Sequence, residues 1–141
     1  MSYATRQEMI ARFGETEVLA LTDREEFGAI DEDVLAGALA DASAEMDTYL
    51  ASRYRVPVQT HARFLAGLCC DIARYRLTGS ETVETNPIRI RYRDAIRFLE
   101  RAADGAITLG LDVAGEAIQP ANTIQFDVGT RIFSRTDRGA F

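Results

Sequence analysis

The chain contains no lysine: all 16 of its basic residues are arginine. That absence removes a P-loop lysine, a Schiff-base lysine and the lysine of common metal-dependent nuclease sites. Histidine is nearly as scarce, with His61 the single copy. It has no partner motif, so no Ser-His-Asp or Cys-His nucleophile can be assembled around it, and a surface position beside a helix start is expected. HExxH, GxGxxG and Walker patterns are missing too, which removes the usual zinc, dinucleotide and nucleotide readings. No run of 18 apolar residues occurs and no charged-then-apolar leader opens the sequence, so a protein made and used inside a cell is expected. Cysteine is confined to the adjacent pair Cys69 and Cys70. Neighbours on a helix are too close for disulfide geometry and lack CxxC spacing, so reduced, buried thiols are predicted. No enzyme activity, cofactor or metal site is expected.

What is present suits one globular domain. The 141 residues are 47% apolar and 27% charged, with a net charge of −6 that argues against a surface devoted to nucleic acid. The charge is uneven. Residues 1–54 carry 12 acids against 4 arginines, residues 55–105 carry 6 against 9, and residues 106–141 carry 4 against 3. An acidic half followed by a basic middle suits head-to-tail self-association, and it equally suits neutralisation within one molecule.

The fold class read from periodicity is mainly α, with four or five helices. Thr5 to Glu8 has the form of a capping box, and Gly14 fits a helix stop, which predicts a helix over 6–13. A second short helix is predicted over 15–21, with Val18, Leu19 and Leu21 facing inward. Asp23 to Asp31, DREEFGAID, matches a calcium loop only in part. Phe27 and Val34 occupy two positions that require oxygen ligands, so an acidic turn is predicted instead. The chain looks organised around the stretch 31–54. Leu35, Leu39, Ala42, Met46, Tyr49 and Leu50 form one apolar face behind an Asp31 N-cap, predicting a helix of about 36 Å. Pro57 bars its continuation. Thr60 is expected to cap a helix over 61–77 that packs antiparallel to the long one. Asn86-Pro87 opens a helix over 88–104 laid across both. Residues 106–141 read as a separate arm, partly extended, in which Ile124, Phe126 and Val128 alternate with polar residues as in a half-buried strand seeking an edge.

Three features invite a functional reading. Arg89, Arg93, Arg97 and Arg101 recur at four-residue steps and form a drifting basic stripe. It reads either as an interface ridge or as a solvated face in which Arg97 reaches Asp94 and Arg101 reaches Asp104. Asp71, beside Cys70, is expected at the core edge, paired to an arginine of the preceding or following helix. Tyr49, Tyr54, Tyr75 and Tyr92 read as core-edge residues with hydroxyls at water.

The segments SYATRQEMIARFGETEVLALTDRE, ALADASAEMDTYLASRY with Val56-Pro57-Val58, and CCDIARYRL resemble a family of small proteins encoded in the head region of Mu-like phages and prophages. Its members look like ring-forming head–tail connector, or adaptor, proteins. The resemblance covers about residues 2–104. It implies a structural protein that forms a ring, dodecameric like portal-bound adaptors. Such a ring would sit at the virion head–tail junction after synthesis in the host cytoplasm. The implied partners are the portal protein, a tail or stopper protein, and DNA passing through the channel without sequence specificity. The arm would reach neighbouring proteins. The interface residues expected on this reading are Arg89, Arg93, Arg97 and Arg101 of the stripe and Ile124, Phe126 and Val128 of the arm. The rival readings are a small helical DNA-binding regulatory module and a metal-dependent hydrolase using the acidic turn.

Overall fold

The Thr5 hydroxyl accepts the Glu8 N–H while the Glu8 carboxylate accepts the Thr5 N–H, at 3.4 and 2.8 Å, so the capping box forms as read. It opens α1 (Arg6–Phe13) of a computed structural model that describes residues 2–58, 62–79 and 86–110. Gly14, at φ +90°, ends α1 and starts α2 (Glu15–Thr22), a conformation that any side chain would strain. Then follow α3 (Glu32–Leu50), α4 (Ala62–Thr78) and α5 (Pro87–Ala103), which make the described residues an all-helical unit. Asn86 caps α5 through the Ile88 N–H, with Pro87 in the first position as predicted. Thr60, His61 and the arm residues Ile124, Phe126 and Val128 lie outside the described residues.

The long helix stops four residues short of the expected Tyr54 and spans about 28 Å. Local hydrogen bonding ends it. The Ser52 hydroxyl donates to the Tyr49 carbonyl, and the N–H groups of Arg53 and Tyr54 converge on the Leu50 carbonyl. The turn brings Tyr54 and Val58 into the core, each 5% exposed.

The hub is α4, which packs against each of the other four helices. Leu65, Ala66, Cys69, Cys70, Ile72 and Ala73 are all buried, a wider apolar arc than a surface helix needs. Both cysteines are free and buried, as expected. Phe64 meets Phe98 edge-on at 4.9 Å, and Tyr75 stacks on Tyr92 at 4.1 Å, so α4 and α5 run antiparallel. Between α3 and α4 the relation differs from the expected antiparallel run. Cys69 and Arg76 are separated by about 10 Å of helix rise. Cys69 meets Leu39 and Ser43 while Arg76 meets Asp41 and Glu45, so the later residue of α4 reaches the later residues of α3, the reverse of an antiparallel order.

The N-terminal segment, which has no periodicity to betray it, is bound to α3. The Tyr3 N–H donates to the Ser43 hydroxyl, and the Tyr3 hydroxyl donates to Asp47 at 2.5 Å and accepts the Val58 N–H at 2.9 Å. At the far end of the described chain, Leu109 is buried and its N–H donates to the Tyr54 hydroxyl at 3.1 Å. The Tyr54 and Tyr92 hydroxyls are therefore satisfied by protein groups and not by water alone, Tyr92 donating to Glu45 at 2.9 Å.

Candidate functional site

Ala95, Leu99 and Ala102 recur at four and three residues and are the buried line of α5. The opposite face is consequently arginine-rich. Arg93, Arg97 and Arg101 are exposed, and Arg89, at the start of the stripe, is half-buried. Among the described residues, Arg93, Arg97 and Arg101 make no ion pair, and the local pairs open to Arg97 with Asp94 and Arg101 with Asp104 do not form. Across the whole helix five arginines face two acids.

The other arginines of the middle region behave differently. Arg74 of α4 binds Glu17 of α2, its Nε donating at 2.6 Å, and its guanidinium lies 4.5 Å from the Phe13 ring centroid. Arg76 donates twice to Glu45 of α3, at 3.1 and 2.7 Å. Its hydrogen bonds to Glu45 hold its pKa above the ordinary arginine range. Glu45 also accepts from Tyr92, whose phenol is pushed up to about 12, first by burial and then by that hydrogen bond. Asp71 is buried and takes a forked pair of hydrogen bonds from Arg12 of α1, at 3.1 and 2.6 Å. The partner thus comes from the first helix and not from a sequence neighbour of α4. Neutralisation within the molecule accounts for Arg74 and Arg76 of α4 and leaves the α5 ridge outward.

Opposite in sign is the surface from 15 to 33, with eight acids against one arginine. Asp23 and Asp31 spend their carboxylates on backbone: Asp23 accepts the Phe27 and Gly28 N–H groups at 2.9 and 2.7 Å, and Asp31 caps α3. Glu15, Glu25, Glu26 and Asp33 are exposed and without an ion pair among the described residues. Phe27 stands among them at 79% exposure.

Two hollows bounded by described residues carry no converging set of reactive groups. One of about 280 Å³ lies between α1 and α4, lined by Glu8, Arg12, Arg63 and Cys70 among others. Burial pushes the Cys70 thiol up to about 12, so it is protonated and a poor nucleophile. The other, about 220 Å³, lies where the N-terminal segment and α1 meet α3. Among the described residues no three His, Cys, Asp or Glu side chains are grouped to hold a metal ion, and no helix is long and apolar enough to cross a membrane.

Sequence reasoning found the α5 ridge from its four-residue spacing. It saw Phe27 only as a failed calcium ligand, although an aromatic residue in an acidic turn, off any apolar periodicity, was itself a signal.

Residues 3–128 match the family described as Bacteriophage Mu, Gp36. The match continues beyond the described residues, to residue 128. The chain is 34% identical over 139 residues to the Mu-like prophage FluMu protein gp36 of Haemophilus influenzae, covering 99% of this chain and 97% of that protein. It is likewise 34% identical over 141 residues to gene product J of Escherichia phage Mu, with 99% of each chain covered.

Proposed function

The chain belongs to the bacteriophage Mu Gp36 family, and from that membership we propose a structural, non-catalytic role as a head–tail connector. In this role copies associate into a ring at the portal, and the ring carries tail-side components. The observation that carries the reading is the uncovered charge. The α5 ridge is unpaired at Arg93, Arg97 and Arg101, while α2 and the turn after it expose acids with no partner among the described residues. Two complementary surfaces on one chain make a heterologous contact, which closes into a ring when the rotation between copies permits. Complementary charge of this kind steers encounter and fixes register, and arginine's planar fork suits carboxylate partners. The ridge is assigned to a neighbouring copy in preference to DNA because the net charge of −6 opposes approach to a polyanion.

Reversing the ridge tests this. Arg93→Glu combined with Arg97→Glu alters two exposed side chains, so the circular dichroism spectrum and thermal midpoint should match the parent. Sedimentation velocity should then show self-association lost. Unchanged assembly at matched concentration contradicts the role given to α5.

A further inference from the structure

We propose that Phe27 is the apolar anchor of the contact between copies and seats on the Phe64–Phe98 pair of the next chain. This deepens the self-association proposed above and rests on it. A phenylalanine at 79% exposure is the largest apolar side chain left uncovered among the described residues, and Phe64, at 50%, is the next. Phe27 is also held in place. Both Asp23 carboxylate oxygens accept N–H groups from the turn, one of them Phe27's own, so the ring is presented on an ordered loop. Presenting an aromatic side chain from a fixed backbone lowers the entropy lost on binding.

The two sites match in charge. Glu25 and Glu26, both exposed, adjoin Phe27. On the receiving side, Phe64 follows exposed Arg63, and Phe98 lies between Arg97 and, one turn on, Arg101. The resulting contact has an aromatic centre with a rim of opposed charges, the usual anatomy of a specific interface. Among the described residues, knob and seat of the same chain do not meet. The acidic turn follows α2, which meets α4 at Arg74, while Phe64 lies ten residues earlier on α4, about 15 Å along its axis. Knob and seat on different parts of one chain define a second copy as the occupant, in head-to-tail arrangement.

A mixing experiment with the full-length protein tests the geometry. Phe27→Arg destroys the knob and leaves the seat, while Arg97→Glu with Arg101→Glu reverses the charged rim of the seat, setting it against Glu25 and Glu26, and leaves the knob. Each variant alone should self-associate at least about tenfold more weakly than the parent, as loss of an anchoring residue does. An equimolar mixture should give a 1:1 dimer by native mass spectrometry, with nothing larger, because only one productive contact remains. In parallel, a photo-crosslinking phenylalanine analogue at position 27 should label peptides holding Arg63–Phe64 or Arg97–Arg101 of another copy. A Phe27→Arg chain that assembles like the parent, or crosslinks that land on residues 111–141, overturns the Phe27 assignment and leaves the connector reading standing. A parent that stays monomeric at any attainable concentration overturns both.

Discussion

Cys69 and Cys70 point about 100° apart on α4 yet both are buried, because that helix has neighbours around most of its circumference. Burial disfavours each thiolate, pushing Cys70 up to about 12 and Cys69 in the same direction. The sign for stability follows. Above pH 9 the unfolded thiols release protons while the folded ones keep theirs, so the unfolded state binds fewer protons and stability falls as pH rises toward about 12. Tyr92, raised from 10.0 to about 12, adds to the loss in the upper part of that window. The urea midpoint should be lower at pH 10 than at pH 7.5, and Cys70→Ala should reduce that difference. A difference unaltered by the substitution contradicts the burial argument. The buried thiols were legible in the sequence, since adjacent cysteines on an apolar helix have no other easy role. The tyrosines were not. Whether a hydroxyl at the core edge meets water or protein depends on partners as distant as Val58 for Tyr3 and Leu109 for Tyr54.

Individual elements were legible to the extent that their ends carry chemistry. The Thr5–Glu8 box and Asn86-Pro87 placed the starts of α1 and α5, and the breaking effect of Pro57 suggested that α3 runs nearly up to it. Instead α3 ends at Leu50, where Ser52 and two converging backbone amides replace helical hydrogen bonds, and that competition has no period to read. Contacts between elements were less accessible still. Arg12 and Asp71 are 59 residues apart, and their forked pair ties α1 to the centre of α4. Asp71 is only 9% exposed at its side chain, while Arg12 is 39% exposed and partly hydrated without its partner. Asp71→Ala should therefore cost about 1–2 kcal/mol, below the loss for a fully buried pair. The measurement is the shift in urea midpoint at constant m. A shift under about 0.3 kcal/mol would mean that α1 is held by apolar contacts alone.

At the scale of the molecule, the sequence pointed to α3 as the organising element because it is the longest, whereas burial assigns that role to α4. Periodicity reports how wide an apolar face is, but it does not report how many partners cover it. The same limit applied to the charges. Counting acids and arginines left neutralisation within the chain and pairing between chains open. The fold divides them, because Arg74 and Arg76 of α4 reach acids of α2 and α3 and Arg12 of α1 reaches Asp71 of α4, while the α5 ridge points away. What remains outward is a basic ridge with a half-covered aromatic pair, and an acidic turn with an uncovered phenylalanine. On the connector role proposed above, a chain so arranged works through its outer surfaces.

Native mass spectrometry of the full-length protein, alone and with portal rings from the same phage, tests this most directly. The account predicts one dominant closed multiple of the 15.6 kDa chain, binding the portal in a fixed ratio. A chain that remains monomeric in both samples would contradict it.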